Sequence, residues 1–251
     1  MKKLLLAMAN GISWFWRLVP GNLRTGYLTG LFVLDSRSPD PAEGLRRLMT
    51  LKDKLEWVIN ERAMAYGCNE HPKHRLMQYH EFFINRIEDG QRVLDIGCGY
   101  GAVARSIARE RTRCKVTGMD IDERRLTQAC AMENPANLSF YKGDATREVP
   151  SGGWDVVVMS NVLEHVVDRI GFLIKIQEIS NAARYLVRVP LFERDWQLPL
   201  RRELGVNYFS DNDHKIEHRL EEFLAEITDA GLNINEIITM WGEIWANCQK
   251  R

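Results

Sequence analysis

Val93-Leu94-Asp95-Ile96-Gly97-Cys98-Gly99-Tyr100-Gly101 is an apolar run that ends near an acid and passes into glycines spaced one residue apart. Residues 101–109 then read as a helix. Buried strand, tight glycine turn and helix start follow one another in that order. Glycine lacks the Cβ that would block an approaching ligand, so such a turn brings backbone N–H groups close to one. Taken alone, the turn points to a nucleotide-like ligand.

Working outward, strands are predicted over 92–96, 115–120, 138–142, 154–159 and 185–189, with helices over 101–109, 123–132 and 169–181. Near-continuous Val, Leu and Ile strands separated by helices indicate an α/β fold, a doubly wound and mostly parallel sheet covered on both faces. Such sheets take ligands at the carboxyl ends of their strands. Downstream, a helix over 219–231 carries Leu220, Phe223, Leu224 and Ile227, and the apolar stretches 232–239 and 241–248 suit a final hairpin. Residues 191–217 between them show no clear periodic element. Upstream, Leu48, Leu51, Leu55 and Val58 recur at helical spacing within 43–66. A second helix is predicted from Pro72 to Ile87, with Leu76, Tyr79, Phe83 and Ile87 on its buried face. Residues 1–40 read as irregular, punctuated by Pro20-Gly21 and Ser38-Pro39-Asp40-Pro41.

The 251 residues are 45% hydrophobic and 27% charged, an ordinary globular composition. Lys plus Arg equals Asp plus Glu at 34 each, so no bulk field recruits nucleic acid; DNA is excluded as a partner and RNA is disfavoured. Cys68, Cys98, Cys114, Cys130 and Cys248 form no C-x-x-C pair, which fits a reducing compartment and a cytoplasmic location. Residues 1–30 carry Lys2, Lys3, Arg17 and Arg24 and no acid, around Trp14-Phe15-Trp16. Their apolar run, broken at Asn10, Gly11 and Ser13, is too short to span a bilayer, but it suits peripheral contact with the inner face of a membrane.

The chemistry gathers at strand ends. The second strand ends at Asp120, where a carboxylate can hold a ribose diol. The third ends in Gly143-Asp144-Ala145, and the fourth in Ser160-Asn161, followed by Val162-Leu163-Glu164-His165. The motifs VLDIGCGYG (93–101), VTGMD (116–120), GDA (143–145) and DVVVMSNVLEHV (155–166) together resemble the class I S-adenosylmethionine-dependent methyltransferases. The resemblance covers residues 91–190 and implies a Rossmann-like, seven-stranded sheet whose last strand is antiparallel. It also implies S-adenosyl-L-methionine as cofactor. Asp95, Gly97, Cys98, Gly99, Tyr100 and Gly101 would surround the methionine end. Asp120 would hold the ribose hydroxyls, Asp144 with Ala145 the adenine, and Ser160 with Asn161 the face near the sulfonium; Ile121 is a further expected cofactor contact. The family's Pro-Gly-Gly-type turn before strand five is absent; the chain runs Ser180-Asn181-Ala182-Ala183-Arg184 instead. The implied organisation is an N-terminal segment and helical extension over 1–88, then a cofactor-binding domain over 89–251 with 191–217 as an acceptor-side insertion.

Methyl transfer needs an acceptor lone pair held in line with the S–C bond, and a base where the acceptor must lose a proton. His165 is the candidate catalytic base. Acceptor contacts are expected from His71, His74 and Tyr79, and from Arg194, Trp196 and His214, beside Arg201, Arg202 and Tyr208. Basic and aromatic groups of this kind suit a small-molecule or glycan acceptor, including a lipid-linked one. The segment Asp213-His214-Lys215-Ile216-Glu217-His218 is also similar to part of the metal-dependent RNA 2′-O-methyltransferases. Those enzymes place a second glutamate three residues before the Glu-His pair, and here Asn161 stands there, so no metal site is assigned. The alternatives are therefore metal-assisted RNA 2′-O-methylation and a non-catalytic cofactor-binding module.

Overall fold

A computed structural model describes residues 2–68 and 71–251. They form two compact units: one reaches to Arg62 and includes Arg201–Val206, and the other is Ala63–Leu200 with Asn207–Arg251.

The first unit holds α1 (Lys2–Arg17), α2 (Gly21–Ser36) and most of α3 (Pro41–Tyr66). The stretch expected to be irregular is thus largely two helices. Asn10, Ser13 and Arg17 recur at i, i+3 and i+7, so they form one polar side of a helix rather than breaks in an apolar run. Pro20 has no N–H to donate and stands at the N-cap of α2, so Pro20-Gly21 marks a junction between helices. Arg201, expected on the acceptor side, serves its own unit. Its guanidinium lies 2.7 Å from Asp53 Oδ1 and 3.0 Å from the Met49 carbonyl.

In the second unit, α4 (Lys73–Met77) and α5 (Tyr79–Ile84) precede β1 (Arg92–Ile96). There follow α6 (Ala102–Glu110), β2 (Lys115–Asp120), α7 (Glu123–Ala131), β3 (Leu138–Lys142), β4 (Val156–Ser160) and α8 (Arg169–Ser180). The chain continues through β5 (Arg184–Pro190), α9 (Gln197–Glu203, whose last three residues belong to the first unit), α10 (Leu220–Asp229), β6 (Leu232–Met240) and β7 (Glu243–Lys250). The single helix expected from Pro72 to Ile87 is broken at Gln78, whose φ of +49° is left-handed. The break turns Leu76 outward while Tyr79, Phe83 and Ile87 stay buried. Helical structure also appears in 191–217, as the turn Phe192–Arg194 and as α9. The missing Pro-Gly-Gly turn is replaced by Asn181, which takes the left-handed position at φ +49°.

The strands form one seven-stranded sheet in the order β3-β2-β1-β4-β5-β7-β6. Strands β1 to β5 pair in parallel, and β7 runs antiparallel to both β5 and β6. Side chains alternate across the sheet, and both faces are apolar. Leu94, Ile96, Val157, Met159 and Val187 pack with Phe172, Leu173 and Ile176 of α8 and Phe223 and Ile227 of α10. On the opposite face Val93, Val156, Val158 and Leu186 pack with Phe82 and Phe83 of α5 and Ala104 and Ile107 of α6. Burying each large apolar side chain stabilises the fold by about 1.5–3 kcal/mol. Strand order reverses between β1 and β4, the crevice where such sheets hold ligands.

Candidate functional site

Backbone geometry builds the turn after β1. Gly97, Gly99 and Gly101 have φ of +68°, +55° and +75°, left-handed values that L side chains rarely adopt. A Cβ on Gly97 would stand 2.7 Å from Val162 Cγ2, and one on Gly101 2.7 Å from the Phe140 ring. A Cβ on Gly99 would meet nothing within 4 Å, so this glycine borders open space. The turn is tied down by Cys98 N–H to the Met119 carbonyl at 3.0 Å and Gly101 N–H to the Cys98 carbonyl at 2.8 Å.

Asp120 locks this turn to β2. Its Oδ2 accepts the Gly99 N–H at 2.7 Å, and its Oδ1 accepts the Asp122 N–H at 2.8 Å. Asp95 lies buried beside it with Oδ2 unpartnered. Burial, with the nearby charge of Asp120, pushes the Asp95 carboxyl up to about 8. Asp144 accepts from Thr146 N and Oγ1 at 2.9 and 2.6 Å, which shapes the turn after β3. Asn161, after β4, has a left-handed φ of +58° and donates its N–H to the Arg188 carbonyl at 2.8 Å.

A cavity of about 350 Å³ opens at these strand ends. Gly97, Asp120, Ile121, Asp144, Ala145, Asn161 and His165 line it, as do Arg125, Val162, Phe172, Asp211 and Asp213. A larger groove of about 650 Å³ runs past Arg92, Lys115 and Leu138 at the amino ends of β1, β2 and β3, away from the glycine turn. Of the other expected cofactor residues, Tyr100 is exposed on the turn and Cys98 is half-buried within it.

The segment after the insertion folds back onto β4's end. Lys215 N–H donates to the Glu164 carbonyl at 2.7 Å and brings His214 against the Glu164–His165 turn, itself a single turn spanning Leu163–His165. One ligand-capable atom from each of Glu164, His165 and His214 lies within 4.8 Å of the others. Glu164 is fully buried, neither carboxylate oxygen has a partner, and burial pushes its carboxyl up to about 8. His165 Nδ1 lies 3.2 Å from Asp213 Oδ2. Burial lowers the His165 pKa against the opposing charge of Asp213. For His214, burial disfavours the cation, but the hydrogen bond to Glu217 at 2.9 Å and the Glu164 carboxyl outweigh it, so its pKa rises.

The expected acceptor residues separate into groups. Tyr79 donates to or accepts from His74 Nδ1 at 2.6 Å, and the Arg188 guanidinium lies 3.8 Å over its ring. Arg188 also donates to Ser160 Oγ at 3.2 Å and pairs with Glu243 at 2.6 Å, which links this group to β4's end. His71 Nδ1 accepts the Lys73 N–H at 3.1 Å. Arg194 is committed to Glu217, a buried carboxylate that also accepts from Ser210 N at 2.6 Å. That pairing orders the segment carrying His214. Trp196 is exposed. Sequence reasoning missed Arg188, whose only signal is a cation inside an otherwise apolar strand.

A family model described as a methyltransferase domain matches residues 68–236. The chain belongs to the class I S-adenosylmethionine-dependent methyltransferases. It is 40% identical over 83 residues to the ubiquinone biosynthesis O-methyltransferase of Sodalis glossinidius, an alignment covering 32% of each chain. The curated relatives it matches are aligned over only about a fifth to a third of their length. Among solved structures it is similar to magnesium protoporphyrin IX methyltransferase of Synechocystis PCC 6803, solved with bound SAH, at TM-score 0.54 and 17% identity, covering 69% of this chain and 83% of that one. It is also similar to the small RNA methyltransferase HEN1, at TM-score 0.58 and 20% identity, covering 70% of this chain and 25% of that one. These structural likenesses speak to the fold.

The residues present fit the family's cofactor. The buried, unpartnered Asp95 oxygen suits an ammonium, and the open side of Gly99 admits a close ligand. The cavity volume falls in the range of about 300–1,000 Å³ usual for small-molecule sites.

Proposed function

We propose that the protein transfers a methyl group from S-adenosylmethionine to a hydroxyl of a small-molecule or glycan acceptor, a lipid-linked one included, and reaches it by peripheral contact with a membrane. One observation carries the proposal: a single cavity joins the cofactor-side acids Asp120 and Asp144 to His165 and Asp213. When bound, the cofactor supplies an electrophilic methyl on a sulfonium, which departs as a neutral thioether when the acceptor oxygen takes the methyl. Asp95 takes the cofactor's ammonium, Asp120 its ribose diol, and Asp144, Ala145 and Ile121 its adenine. Ser160 and Asn161 border the sulfonium face, and His165 receives the hydroxyl proton with Asp213 stabilising the imidazolium. Residues 89–251 form the cofactor-binding domain in this reading, and 191–217 the acceptor-side insertion. The test is incubation with radiolabelled-methyl cofactor and lysate fractions of small molecules, lipids, glycans and RNA. Label in the first three supports the reading; label confined to RNA or absent throughout contradicts it.

Asp95 gives a pH-dependent consequence. With its carboxyl at about 8, the free protein carries a proton there at pH 7, and an ammonium beside Oδ2 expels it. Cofactor binding at pH 7 should therefore release about one proton, and near none well above pH 8. Binding heats compared in buffers of different ionisation enthalpy measure this directly. In the free protein the same raised value makes stability fall as pH rises from about 4 to 8, because the unfolded chain loses that proton first.

A second reading is favoured by the two unpartnered Glu164 oxygens beside His165 and His214. A divalent cation held by these three groups would activate the hydroxyl in place of a bare base, on an RNA 3′ end. Carboxylate and imidazole ligands suit Mn²⁺ or Zn²⁺. Chelation separates the two. Turnover unchanged by chelator supports the base; loss of at least about tenfold, restored by Mn²⁺, supports the cation.

A further inference from the structure

We propose that α1 and α2 form a docking surface for a membrane rich in anionic lipid, the two helices lying along its interface. The proposal stands independently of the methyl-transfer reading, because it rests on surface chemistry in the first unit alone.

Helical spacing sets Leu4, Met8, Ile12 and Phe15 along one side of α1, and all four are 61–66% exposed. Asn10, Ser13 and Arg17 lie along the other side. On α2, Leu23, Tyr27, Leu31 and Leu34 follow the same spacing and are exposed, and no residue of that helix is buried. The rings of Trp16 and Tyr27 meet edge-on at 6.4 Å, which joins α1 to α2 across the turn. So large an exposed apolar surface marks an interaction site rather than ordinary solvated protein.

Charge and length identify the occupant. Through Leu34 the chain carries Lys2, Lys3, Arg17 and Arg24 and no acid, while the whole chain is balanced. The remainder is therefore net acidic, and this end carries the charge that a negative surface attracts, at roughly 1 kcal/mol for each basic residue close to it. Tryptophan and tyrosine favour the headgroup region, where an apolar ring meets a polar edge. Each helix has 16 residues, about 24 Å, short of the roughly 30 Å hydrocarbon core. No described helix is long and apolar enough to cross a membrane. The helices accordingly lie on the bilayer.

The test is flotation of the protein with vesicles of phosphatidylcholine alone or mixed with phosphatidylglycerol. The expected result is partitioning at least about tenfold stronger onto the anionic vesicles, reduced by high salt. Ile12→Asp with Phe15→Asp should lower it at least about tenfold, since both side chains would enter the apolar layer. Unchanged thermal melting and circular dichroism would show that the variant folds. Equal partitioning onto neutral and anionic vesicles, no partitioning, or wild-type partitioning by the folded variant would each overturn the proposal. A self-association that the variant abolishes, without vesicle binding, would overturn it in favour of a second copy of the chain.

Discussion

Asp120→Ala should weaken S-adenosylmethionine binding by at least about a hundredfold. The carboxylate has two tasks. It accepts the Gly99 and Asp122 N–H groups at 2.7 and 2.8 Å, which holds the glycine turn against β2. Its remaining lone pairs are the ones proposed to meet the ribose diol. Alanine leaves two half-buried backbone donors without their acceptor, at about 1 kcal/mol each, and removes the ligand contacts as well. About 2.8 kcal/mol already corresponds to a hundredfold in affinity. Asp144→Ala is the informative comparison. Besides its proposed adenine contact, that carboxylate organises the turn to Thr146 and a surface pair with Arg147 and holds no part of the glycine turn, so its loss should cost about tenfold or less. Calorimetric titration of both variants checks the ranking. An Asp120→Ala protein that binds within about threefold of wild type would contradict the assignment.

His165→Ala should lower kcat by about 10²–10⁴ while cofactor affinity stays within about threefold, the range expected for a lost general base. The imidazole sits on the cavity wall, 3.2 Å from the Asp213 carboxylate that also lines it. Removing it leaves the cofactor-side acids and the glycine turn untouched. Glu164→Gln separates the two mechanisms. Glutamine nearly matches a buried, neutral glutamate in size and polarity, and burial keeps that carboxyl largely neutral at pH 7. Under the base mechanism Glu164→Gln therefore retains kcat within about tenfold. Under the cation mechanism it removes a ligand and falls with His165→Ala. Single-turnover rates with an identified acceptor, alongside cofactor Kd, distinguish these outcomes.

The residues that line the cavity at the strand ends were legible because their signals are local. A glycine turn after an apolar strand needs no tertiary knowledge, and acids at successive strand ends of a parallel sheet must converge on one edge. The seven strands and the antiparallel last strand followed from the resemblance, and the sheet has both. Contacts made by chain folding were not legible. Nothing in the spacing of Glu164 and His214 says that Lys215 N–H will dock on the Glu164 carbonyl. Nor does Arg194 announce that it serves Glu217 rather than a ligand. The break at Gln78 had no turn residue to mark it, since glutamine rarely takes a left-handed conformation. At the amino end, the polar residues of α1 interrupt the apolar run along the sequence and fall on one side only once the helical period is imposed.

The most direct measurement is an experimental structure of the protein with S-adenosylhomocysteine, the demethylated product. The account predicts both ribose hydroxyls about 2.5–3.0 Å from the Asp120 carboxylate, adenine between Ile121 and Asp144, and sulfur turned toward His165. Ligand density in the groove beside Arg92 and Lys115, or adenine remote from Asp120, would contradict it.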